Sequence, residues 1–377
     1  MSQLNAKALE EARILDLERK RGIVRSPAHG MPVLLKDLID VKGMYTSNGN
    51  YSLRNSFPQS DSGVAEKLRE RGVVILGKLG LSEYANFFGN QPSGFANLTG
   101  QVLHGLDADQ NPSGSSSGSG TAGAAALSLL TIGTETSGSI ISPARAQGLV
   151  GLRPTVGLVP GVGIGPISAS QDTAGPMDRT VTNAAYTLTA IAGQDPESSY
   201  DGLWGLTPEQ DDIVIPPAPD TVPDYLSALD LGFVAGKRIG YNGDLVNATT
   251  GEKTPLGEAY DALVAAGAIL VLRPVLSPAL VLPTGSILNW EARRDINRYY
   301  ANLGPDAPIK SLDEELAKNA EESAQALKFG NATHTNVNTF IITDFVGGPT
   351  TTDPSNTVAN DFWIVGTSKN RLSSSGP

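Results

Sequence analysis

The chain has 377 residues, 40% of them hydrophobic, so it is long enough to bury a large core. Its 28 Lys and Arg stand against 39 Asp and Glu, a net charge of −11 that argues against a nucleic-acid partner, because tracking phosphates needs clustered cations. No cysteine is present, which excludes disulfides, thiolate nucleophiles and Cys-based zinc sites together.

The opening stretch, MSQLNAKALEEARILDLERKRG, reads as a charged helix without the apolar centre of a signal peptide. No later run reaches about 18 apolar residues, so no membrane span is expected and a cytoplasmic location is the default. PVLLK at Pro32–Lys36 predicts a buried strand, and SGVAEKLRERG followed by VVILGK predicts an amphipathic helix running into a second strand at 73–76. Residues 118–133 (GSGTAGAAALSLLTIG) predict one buried small-residue helix, and GLVGL at 148–152 predicts a core strand. Residues 195–223 are crowded with Pro, Asp and Gly and read as a surface excursion. KRIGYN and AILVLRP then read as strands around the helix TPLGEAYDALVAAG, followed by helices at 289–302 and 311–328. Residues 331–377 show no convincing element. The rhythm is α/β, in one folded domain over 1–330 followed by a poorly patterned segment over 331–377.

Three readings compete for the serine-rich stretches. Gly114-Ser115-Ser116-Ser117-Gly118 matches the G-x-S-x-G nucleophile elbow with Ser116 at its centre, but turn formers rather than a strand precede it, and only His334 follows. A phosphate loop would need Gly-Lys-Ser/Thr, which is missing here. The third reading asks what a serine needs to attack a carbonyl: a base for its proton and backbone N–H groups aimed at the oxyanion. With three histidines in the whole chain, the base can be a lysine whose burial lowers its pKa from about 10.4. Lys36, ending the run Val33-Leu34-Leu35, meets that demand.

HGMPVLLKDLIDVKG, GSSSGSGTAGAAA and GTETSGSIISPARAQGLVGLRPTVGLVP, in this order, resemble the amidase signature family, as do LGKLGLSEYANF and PISASQDTAGPMDRTV between and after them. The resemblance covers most of 29–192 and extends more loosely to about Lys328. It implies a single α/β/α domain with a large mixed β-sheet covered by helices, and a Ser–cis-Ser–Lys triad that hydrolyses linear amides through a seryl acyl-enzyme. Carried over by position, Lys36 is the base, Ser115 the relay serine with a cis peptide before it, and Ser139 the nucleophile. Backbone N–H groups of Thr136, Ser137, Gly138 and Ser139 would form the oxyanion hole. Ser116 and Glu135 are supporting residues, as are Arg153 and Asp172.

The resemblance implies no metal and no cofactor, a small-molecule or peptide amide as substrate, and leaves a homodimer open. Departures from the family pattern are Ser137 in place of a glycine, Ser117 in the Gly/Ser loop, and Ile141 where arginine is usual. Family members continue through further strands, so the fold is expected to be incomplete at the C-terminus. Two other functions stand beside the amidohydrolase: a glutaminase-type component of an amidotransferase, and a truncated non-catalytic homologue. His29, His104 and His334 are expected in core or surface roles.

Overall fold

Alternation along PVLLK decides the layering of the molecule. A computed structural model describes residues 2–193, 221–230, 232–241, 245–247, 249–272 and 287–336. Its central sheet has six strands: β1 (Gln3–Leu4), β2 (Pro32–Lys36), β3 (Val74–Leu79), β4 (Leu130–Glu135), β5 (Val150–Gly151) and β6 (Thr173–Asp178). Their spatial order is β1-β3-β2-β4-β6-β5. β2 runs parallel to β3 and β4 on its two sides, whereas β1, β5 and β6 pair antiparallel, so the sheet is mixed.

The flanking helices are α1 (Ala8–Lys20), α2 (Gly63–Glu70), α3 (Ser117–Ala124), α4 (Ile141–Ala146) and α5 (Val181–Ile191). Because side chains alternate along a strand, Val33 and Leu35 face one layer, where they join Val64, Ala65 and Leu68 of α2 and Leu188 and Ile191 of α5. Leu34 faces the other layer and meets Leu79 and Ala122 of α3. Each such buried aliphatic side chain contributes about 1.5–3 kcal/mol of transfer free energy. Lys36, two residues beyond Leu34, is thereby aimed at the beginning of α3.

That helix is made of small residues because it lies directly on backbone. A Cβ added at Gly118 would come within 2.3 Å of the Gly80 carbonyl oxygen, so only glycine fits the approach. The expected single helix over 118–133 is corrected here: α3 stops at Ala124, Ala126 is left-handed with φ 56°, and the apolar residues beyond it form β4. The composition, nearly all small or apolar, masked the change of period. β6 and β1 were not anticipated, and the strand expected over 148–152 is limited to Val150–Gly151.

The second half adds a parallel pair, β7 (Arg238–Tyr241) and β8 (Ile269–Leu272), joined through α6 (Pro255–Ala265). It then adds α7 (Ile287–Asn302) and α8 (Leu312–Glu321), where the expected helix over 311–328 divides at Glu322 into α8 and a short helix at Ser323–Ala326. These helices pack a second core of Ala292, Ile296, Tyr300, Leu303 and Leu312 against Leu53, Phe88 and Ile167 of the first half. Residues 332–336 are helical, against the expectation for 331–377, and carry His334 into that core, where its Nδ1 lies 3.0 Å from Glu315 Oε1. Most of the excursion expected over 195–223, and all of 337–377, lie outside the described residues. No described helix is long and apolar enough to cross a membrane.

Candidate active site

Lys36 has no solvent exposure at the end of β2. Its Nζ donates to Ser115 Oγ at 2.8 Å, to Thr134 Oγ1 at 2.9 Å and to the Thr134 carbonyl at 3.3 Å. Burial without solvation of the ammonium pushes its pKa down to about 7, against the opposing pull of Asp172 and Glu135. The amine therefore exists substantially unprotonated at neutral pH.

Ser115 precedes α3, and the Gly114–Ser115 peptide bond is cis. Its carbonyl accepts from Ser82 N–H at 3.0 Å, which ties the loop to the chain just after β3. Next to it, Ser116 N–H donates to the Ser139 carbonyl at 3.2 Å, so the two serine loops are in direct backbone contact. The Ser116 hydroxyl donates to the Thr134 carbonyl at 3.0 Å and accepts from Thr134 N–H at 3.1 Å, completing a brace between the α3 entrance and β4. A Cβ on Gly133 would lie 2.8 Å from Ser116 Oγ, so the glycine before Thr134 makes room for that brace.

Ser139 is 8% exposed at the mouth of the site, and its hydroxyl has no hydrogen-bond partner among the described residues. The structure thus joins Lys36 and Ser115 side chain to side chain, and brings Ser139 to Ser116 through the backbone. The N–H groups of Ser137, Gly138 and Ser139 likewise meet no acceptor among the described residues. Of Ser137 and Gly138, the left-handed position is Gly138, at φ 84°; Ser137 is exposed and lies outside that region, so its side chain demands no strained backbone. Thr136 is held by its hydroxyl, which donates to Asp172 Oδ1.

Glu135 terminates β4 and accepts from the N–H groups of Ile140 at 2.7 Å and Ile141 at 3.0 Å, where α4 begins. Its other oxygen lies 3.4 Å from Arg153 Nε. Ser117, the other departure in the serine loop, donates to the Ser113 carbonyl at 2.6 Å and closes the turn. Ile141 is 44% exposed and enters this network through its backbone N–H. His29 Nε2 meets the Leu15 carbonyl and His104 Nε2 the Ala146 carbonyl, both at 3.0 Å, away from Lys36. No cluster of three or more metal-ligating side chains occurs among the described residues.

Comparison with known proteins decides the lineage. The family model described as Amidase matches residues 1–339. The chain belongs to the amidase family. Within it, the chain is similar to a protein of Arthroderma benhamiae named as an amidase, with 42% identity over 276 residues, 72% of this chain and 44% of that one. It is also similar to the A subunit of glutamyl-tRNA(Gln) amidotransferase from Acidothermus cellulolyticus, with 40% identity over 62% of this chain and 42% of that one. The chain therefore spans less than half the length of either relative. Among solved structures it is similar to the peptide amidase of Stenotrophomonas maltophilia, with a TM-score of 0.79 and 38% identity over 98% of this chain and 70% of that one. The mixed α/β architecture of this amidase-family chain agrees with that match.

Two residues at the site are hard to find or to rank in the sequence. Thr134, inside β4, gives Lys36 two of its three acceptors, and nothing distinguishes it locally from any strand threonine. Asp172, expected to support the framework, is half-buried beside the site. Burial raises its pKa to about 7, although Thr136 and the N–H groups of Ile167 and Ser168 favour the carboxylate. Its place in PISASQDTAGPMDRTV, a stretch that resembles the family, is the one signal it carries.

Proposed function

We propose that this chain is an amidohydrolase that cleaves a linear carboxamide, with Lys36 as base, Ser115 as relay and Ser139 as nucleophile. The observation that carries the reading is the buried Lys36 amine, 2.8 Å from Ser115 Oγ and with its pKa lowered to about 7. When the amine is neutral its lone pair accepts the Ser115 proton, and Ser115 in turn accepts the proton of Ser139. Ser139 Oγ then forms a bond to the amide carbon, whose oxygen turns toward the N–H groups of the 136–139 loop. As the C–N bond breaks, the proton held by Lys36 returns through Ser115 to the leaving amine. Water, deprotonated by the same relay, cleaves the acyl-enzyme and releases the carboxylic acid.

The placement of the supporting groups fits this chemistry. Glu135 binds the first N–H groups of α4 and so is occupied in shaping the loop rather than available as a base. Similarity to a peptide amidase supports a peptide amide as substrate. Similarity to amidotransferase A subunits supports a second reading, glutamine hydrolysis within a complex. Co-purification with other subunits and ammonia transfer to an acceptor would favour that second reading.

The test is labelling of the full chain by a fluorophosphonate probe. Labelling of wild type that disappears in Ser139→Ala, together with release of ammonia from a peptide amide, supports the amidohydrolase. A folded wild type that is not labelled overturns it.

A further inference from the structure

The loop at 167–172 connects α7 on one side to the 136–139 loop on the other. Asp172 Oδ2 accepts from the N–H groups of Ile167 at 2.8 Å and Ser168 at 2.9 Å, while Oδ1 receives the Thr136 hydroxyl. The loop cannot move without moving Asp172, and Asp172 cannot move without releasing Thr136, the first residue of the 136–139 loop. Asp172 is also the larger of the two carboxylate influences on Lys36.

This loop is held by two carboxylates 121 to 126 residues later in the chain. Glu291 Oε2 receives the Ser168 hydroxyl, the Ser170 hydroxyl at 2.8 Å and, more weakly, Ser170 N–H at 3.3 Å. One turn further along α7, Asp295 Oδ2 receives Ala169 N–H at 2.8 Å. Both carboxylates are buried, at 5% and 0% exposure, where an unsatisfied acceptor is costly. Arg294 and Arg298 face Asp295, Arg294 also faces Glu291, and Arg153 Nη2 donates to the Gln171 carbonyl from the opposite side.

We propose that Glu291 and Asp295 are positioning residues for the Lys36–Ser115–Ser139 site: from α7 they hold the 167–172 loop so that Asp172 fixes Thr136 and faces Lys36. This rests on the catalytic reading given above and deepens it, because it makes α7 part of the machinery rather than a cover. Neither residue touches substrate. Each acts through Asp172, and loosening them removes a negative charge from beside Lys36, which lowers the pH at which its amine loses its proton. It also frees Thr136, and a displacement of about 1 Å at a reacting loop costs about a hundredfold in rate.

The experiment uses the full chain and two measurements: the second-order rate of fluorophosphonate labelling as a function of pH, and hydrogen exchange at 136–139 and 167–172. Asp295→Ala is expected to slow labelling by roughly tenfold to a hundredfold, to move the acid midpoint to lower pH, and to speed exchange at both segments together. Asp295→Asn, which keeps an acceptor for Ala169 N–H, is expected to recover most of that loss. Leu303→Ala removes packing from the same helical core without touching the loop, and should lower the melting temperature while leaving the pH midpoint in place. Labelling with a wild-type rate and midpoint, a midpoint moved upward, or faster exchange at 167–172 without change at 136–139 overturns the proposal. So does Leu303→Ala reproducing the Asp295→Ala pattern. If Asp295→Ala does not fold, Ser170→Ala, which takes one hydroxyl from Glu291, should give the same shifts in smaller measure, and an unchanged profile and exchange overturn the proposal. Absence of labelling in wild type counts against the hydrolase reading alone, since the exchange measurement still decides whether α7 controls the 136–139 loop.

Discussion

Lys36 and Lys78 lie on neighbouring parallel strands, neither has any solvent exposure, and burial lowers the pKa of both. Lys78 pairs in register with Leu35 rather than with Lys36, so the two amines leave the sheet on opposite faces. Lys36 meets the Ser115 hydroxyl at the entrance to α3. Lys78 donates to the Tyr45 carbonyl at 2.9 Å and the Thr46 hydroxyl at 2.7 Å, and is faced by Asp37 and Asp40. On that face the charges serve packing: Asp37 Oδ2 accepts from Ser47 N–H, Ser47 Oγ and Gly49 N–H, and Asp40 accepts from Tyr299 of α7. Burial is common to both lysines, so the base role proposed for Lys36 rests on what its amine meets. What separates the two is that Lys36 meets the Ser115 hydroxyl, whose neighbour Ser116 donates its N–H to the Ser139 carbonyl, beside a loop whose Ser137, Gly138 and Ser139 N–H groups meet no acceptor among the described residues.

Replacing each lysine by methionine tests this contrast most strongly. Lys36→Met should reduce labelling and amide turnover by several orders of magnitude while the protein remains folded, as read by circular dichroism and melting temperature. Lys78→Met should leave the labelling rate within about threefold and instead lower stability by about 1–3 kcal/mol, because the Tyr45 carbonyl loses a buried donor. The contrast fails if Lys78→Met abolishes labelling in a stably folded protein, or if Lys36→Met retains turnover.

The next effect is on pH. Below about 7 the Lys36 amine is protonated, so kcat/KM should fall about tenfold for each unit of acidification. Asp172→Asn should move that midpoint to lower pH, because the carboxylate raises the lysine pKa; a midpoint unmoved by this change separates Asp172 from Lys36. Stability follows the same group with a definite sign. The folded state binds fewer protons than the unfolded chain between about 7 and the ordinary lysine value, so this group's contribution is present above the unfolded pKa and lost as pH falls through about 7. Lys36→Met should flatten that part of the stability profile in denaturant titrations.

The smallest expected change belongs to Ser116. Ser116→Ala removes both bonds to Thr134 and should lower stability by about 1–3 kcal/mol, with a smaller loss of labelling than at Ser115. A loss as large as that of Ser115→Ala would place Ser116 in the relay instead.

Much of the fold and of the proposed site is legible in the sequence. The run Val33-Leu34-Leu35 announces a strand buried on both faces, and it is compatible with a desolvated lysine at its end, where the structure leaves Lys36 no exposure. The helix and strand within 118–133 are not separable by pattern, because small apolar residues satisfy either period and the break falls at Ala126, a residue type that does not advertise a left-handed turn. Thr134 and Asp172 are hard to rank for a similar reason: each becomes important through the residue it meets across the sheet or loop.

Consecutive residues specify the local chemistry: where the buried strand, the small-residue contact and the two serine loops lie along the chain, since burial period and glycine placement are properties of neighbours in sequence. Which lysine meets the Ser115 hydroxyl, and which carboxylates of α7 bond the 167–172 loop, is set by the three-dimensional arrangement alone. Sheet register and helix docking bring together groups as distant in the chain as Asp40 and Tyr299, 259 residues apart, and those contacts depend on packing across the whole fold rather than on any stretch of it.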